Sequence, residues 1–554
     1  MAKMKSIRLF VLLMLVSLVS VGWLSEQFVW AAAESGSISG KVTADKGSVH
    51  AVRVKARDTV RRIAYTVFTK NGRYQIYNLP PGSYQVFAMQ DGFKSTTQSV
   101  ELDAGATKSA DVALIANGPS GVELVDFDTL YPPGPGRDLF TKECAGCHGW
   151  EHIPLHKMGP RTEDQWRVAV NNMFEVIRMK VPIVSPQVVS VEQRETMIKY
   201  FASAFGPDSK RRDLKLDEIP LDEEALSKAI YIQYDLPPAT PGRVGSRGIH
   251  DLFPSQISPT VFIGDIGTGA VLAMDRRNLD YPSRFKEWPI VPAGEKNPQP
   301  HGMVESKGHI FWTELSGGGV GELDPKTGEL RRFAMPNPGS PHTPRADSQG
   351  NLWFTSVYNA SRIGRLDAET KTITEFDPSP NYKNAHYYGL IVDQKDRVWA
   401  AGSTSHTLVM YDPRTNKWTT YTTPTPLSGV HRPTVDSKGK IWFAEMIGDA
   451  IGMLDPDTGQ ITEYKNPLRY SGEYECYADK EDNIWATLRS YGAFGRFDQK
   501  TKKYTFIPYP EINGHTPKVE TDPDGTLWFA MGRPSTVANL RINGNVPTGH
   551  SAGM

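Results

Sequence analysis

Cys144-Ala-Gly-Cys147-His148 is the densest chemical motif in the chain. Two thiols one helical turn apart reach both vinyl groups of a haem, and the next imidazole reaches the iron from the same side. That spacing reads as c-type haem attachment. The implied cofactor is one covalent haem c, with His148 as an iron ligand. The opposite axial position calls for a thioether or a second imidazole. Met173 and Met179 are the favoured sixth ligands, ahead of Met158 and of Met197, whose apolar stripe with Ile198 and Phe201 reads as core. His156 would instead give a bis-histidine iron. Such a haem implies an electron-transfer partner, another cytochrome or an oxidase. The remaining cysteine, Cys476, reads as a small buried side chain.

Histidines supply a second pattern. Nine of the 13 lie after Ala229. His301, His342 and His431 recur at one point of a repeat, and His386 and His515 stand two residues before that point. Acidic residues recur three positions after an aromatic, at Asp265, Glu314 and Glu445. The pairs His301/Glu314 and His431/Glu445 fall on neighbouring strands, where imidazole and carboxylate together suit a divalent metal or general acid/base work. His431, Glu445, His301, Glu314, His386 and His515 are therefore the candidate catalytic residues, with His431 and Glu445 the candidate ligands of a second metal. Arg345, Arg432, Tyr388 and Tyr474 are suited to orienting an anionic or aromatic substrate.

The elements that position these residues are legible in the repeats. Phe262, Phe311, Trp353, Trp399, Trp442, Trp485 and Trp528 each centre an apolar strand, and the last four intervals are 46, 43, 43 and 43 residues. Short strands repeating at that period predict a seven-bladed β-propeller over 229–545. Ile230-Tyr-Ile-Gln-Tyr234 stands before the first blade and is read as the strand that closes the last. The first strand of each blade lines the channel, so the histidines converge near one mouth of the axis. A small-molecule or peptide-like substrate is expected there.

Upstream, residues 35–117 alternate apolar and polar residues between turns such as Asn71-Gly72 and Pro80-Pro81-Gly82, which predicts a β-sandwich. Residues 118–135 and 207–228 read as linkers. Residues 136–206 have helical periodicity, with N-terminal capping patterns at Thr162 and Ser190. The fold class is thus multidomain and mainly β, with a small all-α domain between sandwich and propeller. Residues 1–33 carry Lys3, Lys5 and Arg8, an apolar run from Leu9 to Leu24, and Ala31-Ala32-Ala33. They read as a cleaved signal peptide, with an uncleaved anchor as the alternative. A periplasmic or secreted protein with no transmembrane span after cleavage follows. Lys+Arg 62 against Asp+Glu 62 gives no basic field for nucleic acid.

Three resemblances attach to these residues. Gly40-Lys-Val42, Asn71-Gly-Arg-Tyr-Gln-Ile76 and Leu79-Pro-Pro-Gly-Ser-Tyr-Gln-Val86 resemble the carboxypeptidase-regulatory-like family, implying a non-catalytic sandwich. Residues 136–206 resemble a single-haem cytochrome c domain. Pro300-His-Gly-Met303, Leu352-Trp-Phe-Thr355, Arg362-Ile-Gly-Arg-Leu366 and Ile441-Trp-Phe-Ala-Glu445 resemble the virginiamycin B (streptogramin B) lyase family. That family implies Mg²⁺-assisted opening of a cyclic peptide by elimination, with catalytic residues in the last two blades. Here Tyr474 stands for a histidine, His515 for a glutamate, Pro517 for a histidine and Gly532 for a second glutamate. An oxidoreductase or electron-transfer component is therefore expected first. A carbon-oxygen lyase carrying a cytochrome domain and a non-catalytic binding protein are the alternatives.

Overall fold

The computed structural model describes residues 34–118, 121–145, 159–179, 189–242, 245–357, 362–378, 386–532 and 534–542. The segment read as a signal peptide lies outside them. The fold is mainly β: a sandwich-like N-terminal domain, a small helical segment and a propeller-like ring. No helix among the described residues is long and apolar enough to cross a membrane.

The ring is built from seven antiparallel sheets in sequence order, starting with Ile249–Pro254, Pro300–Ser306, Pro341–Ala346, Tyr387–Val392, Val430–Val435, Glu473–Ala478 and Val519–Thr521. We call these sheets blades one to seven. Ile230–Asp235 pairs with Ser535–Arg541 as the outer strand of blade seven, so the ring is closed by chain from its far end. The repeat aromatics lie on the second strands, and Trp353, Trp399, Trp442, Trp485 and Trp528 are all buried. Each donates its indole N–H to an aspartate six residues earlier: Asp347, Asp393, Asp436, Asp479 and Asp522, at 2.8–3.0 Å. The same aspartates hold the hairpin turn. Asp436, for example, accepts from the backbone N–H of Lys438 and of Lys440. One carboxylate therefore fixes both the turn and the ring that fills the space between blades.

The sandwich is continuous with the ring. Its edge strand Ile63–Phe68 pairs antiparallel with Ile230–Asp235, Tyr231 opposite Thr66, so one eight-stranded sheet runs from blade seven into the N-terminal domain. Buried Lys55 donates to Glu511, and the Arg53 side chain donates to the Tyr509 carbonyl.

Between sandwich and ring, the helices Pro135–Phe140, Glu163–Met179 and Val191–Ala204 pack around Leu130, Tyr131, Phe140, Trp166, Met197 and Phe201. Ser190 and Gln193 form a reciprocal cap at the last of these helices. This segment rests on blades five and six. Phe127 stacks on Tyr470 at 4.8 Å, and Asp217 accepts from the Arg469 side chain and backbone.

Candidate functional site at the propeller axis

The inner strands share one irregularity. In blades one to six the register shifts by one residue just after the strand begins, between 249 and 251, 300 and 303, 341 and 344, 387 and 390, 430 and 433, and 473 and 476. A bulge re-aims the side chains at the extra residue. The residues so aimed are His250, His301, His342, Tyr388, His431 and Tyr474. Their rings form a continuous ladder from blade to blade, with centroids 3.8, 4.0, 4.0, 4.4 and 4.4 Å apart. The Tyr388 and Tyr474 hydroxyls hydrogen-bond each other. In blades two and four a glycine follows the ladder residue, and the space there admits no side chain. A Cβ on Gly302 would lie 2.3 Å from Pro344, and one on Gly389 would lie 2.5 Å from the Arg432 backbone.

Burial sets the ionisation of these rings. His250, His301 and His342 are pushed well below the ordinary imidazole range, first by loss of water and then by neighbouring charge, with Arg432 contributing at all three. They are neutral at pH 7. Thr343 Oγ1 lies 2.9 Å from Nδ1 of His342, and His431 Nδ1 lies 3.1 Å from the Tyr474 carbonyl. The Nδ1 atoms of His250 and His301 are buried without a hydrogen-bond partner among the described residues.

A charged group lies beside the ladder. Lys518 Nζ stands 3.0 Å from Asp251 and 3.1 Å from Glu520, and Arg345 stands 3.2 Å from Glu520. Arg432 is buried over the faces of Tyr388 and Tyr474 at 5.4 and 5.5 Å, with Nε 3.5 Å from Glu475. Burial pushes the Glu475 carboxyl up to about 8, although Arg432, Arg345 and Lys518 pull it down.

The structure brings His301 and His431 into this site and separates them from their expected carboxylate partners. Glu314 pairs in register with Pro300, and Glu445 with Val430. Each carboxylate is therefore opposite the residue before the histidine and points to the other face. Glu314 is held by Arg332, with Nε at 2.7 Å. Glu445 lies beside Glu463, which together with burial pushes its carboxyl up to about 8. His386 sits one residue before its inner strand at positive φ, and Tyr388 takes its place in the ladder. His515 is close enough to His250 to depress it, and its carbonyl accepts from Gly532 N–H. His250 is the residue that sequence spacing missed. It stands 12 residues before Phe262, one step outside the interval that located the others.

Residues 379–551 match the model of the Virginiamycin B lyase family. Residues 37–115 match the carboxypeptidase regulatory-like domain. The propeller is of the virginiamycin-B-lyase-like type. A solved streptogramin B lyase is 22% identical, with 56% of this chain and 97% of that chain covered and a TM-score of 0.48. A catalytically inactive virginiamycin B lyase from Staphylococcus aureus, solved with quinupristin, is 20% identical, with coverage of 55% and 98% and a TM-score of 0.48. A comparison with curated proteins gives no match.

These findings correct the cofactor expectations. No haem-binding family is matched: the matched families flank the Cys144 segment, and helix is a minor part of the fold. Cys144 packs against the apolar cluster around Phe140 and Trp166, and Met173 lies on the exposed side of its helix. Cys147, His148 and the Met179 side chain lie outside the described residues. The haem c, and the electron-transfer role drawn from it, are withdrawn. The second metal is withdrawn as well. Glu445 faces away from His431, and among the described residues no group of three or more His, Cys, Asp or Glu side chains is placed to hold an ion.

Proposed function

We propose that this chain is an exported ligand-binding propeller whose site is the axial ladder. A small-molecule or peptide-like ligand carrying a flat ring fits it. The observation that carries the reading is the six-ring ladder from His250 to Tyr474, aimed at the axis by one bulge repeated in six blades. Rings in such an array offer faces and edges for stacking. Neutral imidazoles add donors and acceptors without a charge to desolvate. Export rests on the basic, then apolar, then small-residue order of residues 1–33.

A lyase-like reaction is the second reading, favoured by the family match over 379–551. Binding without turnover is preferred. The positions that carry chemistry in the resembled family read Tyr474, His515, Pro517 and Gly532 here, and the last two bring no group able to transfer a proton.

Equilibrium dialysis of ring-bearing compounds, cyclic peptides included, tests both readings. Compounds retained intact by the wild type and lost by His301→Ala and Tyr388→Ala support the axial site. Retention unchanged by both substitutions overturns it. Release of a ring-opened product of unchanged mass favours the lyase.

A further inference from the structure

The guanidinium at the centre of this ladder is incompletely paired, and on the edge that matters. Arg432 is only 3% exposed, yet neither Nε nor Nη2 has a hydrogen-bond partner among the described residues. Those two nitrogens form one fork of the guanidinium, the edge that takes an oxyanion through two parallel hydrogen bonds. Its carboxyl partner, Glu475, has Oε2 3.5 Å from Nε, and that oxygen is itself without a hydrogen-bond partner among the described residues. A buried cation held this loosely is costly unless something else completes it.

The neighbouring charges sharpen the point. Lys518 is satisfied by Asp251 and Glu520, and Arg345 by Glu520. Glu475 is the remaining acid, and burial raises its carboxyl to about 8 against the pull of Arg432, Arg345 and Lys518. Three cations then face three carboxyls, and Arg432 is the cation whose Nε/Nη2 fork makes no hydrogen bond to its carboxyl partner. The rings around it are uncharged: His250, His301 and His342 are neutral by burial, and the tyrosines Tyr388 and Tyr474 present their ring faces, while Asp251 and Glu520 act on it without a hydrogen bond to its fork.

We propose that the axial site selects an anionic ring ligand, its oxyanion seated on the Nε/Nη2 fork of Arg432 in place of Glu475 and its ring stacked in the ladder. The proposal rests on the ring-binding reading above and adds the charge of the ligand to it. Carboxylate and phosphate share the required geometry. Tyr388 and Tyr474 are the ring neighbours nearest the fork.

Calorimetric titration of the full chain with benzoate, benzamide, phenyl phosphate and inorganic phosphate is the test. Benzoate or phenyl phosphate is expected to bind at least tenfold tighter than benzamide at pH 6.5. Arg432→Gln abolishes that preference. Because this substitution strands a buried carboxyl, Glu475→Gln is the companion variant. It removes the competing acid, keeps the fold, and is expected to tighten benzoate severalfold. The wild type loses affinity as Glu475 ionises toward pH 9, and Glu475→Gln does not. Equal affinity for benzoate and benzamide overturns the anion preference and leaves ring binding standing. Failure of every ring compound to bind overturns both. Inorganic phosphate binding as tightly as phenyl phosphate, with no response to Arg432→Gln, also overturns the proposal.

Discussion

Glu445 is the cross-strand partner of Val430, one residue before His431, and that single step puts the carboxyl and the imidazole on opposite faces of blade five. The carboxyl is instead buried beside Glu463, which raises it to about 8. A group whose folded value is raised favours the folded state when protonated. Its contribution is fullest below the unfolded value near 4.5 and is lost as pH rises to about 8. The loss is on the order of 4 kcal/mol across that window. Glu445→Gln is therefore expected to flatten the fall of Tm between pH 5 and 9, measured by scanning calorimetry beside the wild type. Parallel curves would contradict this.

The ladder predicts an acid limb of the opposite sign. His250, His301 and His342 are held neutral in the fold, so the unfolded chain binds more protons below the ordinary imidazole value near 6.5. Stability falls as pH falls through that point. A His301→Gln, His342→Asn double variant removes two of the three groups. Its urea midpoint is expected to change less than the wild type's between pH 7 and 5. An unaltered acid limb would show that these imidazoles take up protons without cost.

Asp436 holds a turn and an indole at once, so Asp436→Ala strands four N–H donors: the Lys438 and Lys440 backbone, the Trp442 indole and the Gln499 side-chain amide. A loss of about 2–4 kcal/mol is expected. Asp436→Asn, which keeps an acceptor oxygen, is expected to lose less. Denaturation followed by tryptophan emission reads both. Indifference to Asp436→Ala would mean that packing alone sets the hairpin.

The sheet shared between Ile63–Phe68 and Ile230–Asp235 predicts that sandwich and blade seven unfold together. Lys55→Met leaves the carboxylate of Glu511 without its buried partner and is expected to cost about 3 kcal/mol. Adding Glu511→Leu should recover part of the loss. One calorimetric transition for the wild type and two for Lys55→Met are the expected traces. Two transitions in the wild type would sink the idea of a single cooperative body.

The periodic parts of this molecule were legible because one physical requirement repeats. Each blade needs a large ring on its second strand, so Trp353 to Trp528 announced themselves at near-constant intervals. The convergence of His301, His342 and His431 followed from the same spacing. What spacing could not show was the bulge just after the inner strand begins in blades one to six. It decides which face a side chain takes, so the carboxylates of Glu314 and Glu445 were assigned to the wrong side. The hairpin between first and second strands is one residue longer in blade one, where Phe253 pairs with Phe262, than in blade five, where Thr434 pairs with Trp442, and that is why spacing misses His250. The haem assignment rests on the Cys144–His148 spacing and the helical periodicity of 136–206, and neither reports how the side chains pack. The fold places Cys144 against an apolar cluster and turns Met173 outward.

The central claim is that the ladder is where ligand binds, and the histidine side chains report it directly. Long-range ¹H–¹⁵N spectra of the full chain, recorded during titration with a ring compound retained in dialysis, separate axial from peripheral imidazoles. His250, His301 and His342 are expected to shift together along one saturation curve, while His50 and His309, which sit beside Glu223 and Glu322 away from the ladder, stay still. Shifts confined to His50, His309 or His406, with the axial resonances unmoved at saturation, would contradict the account.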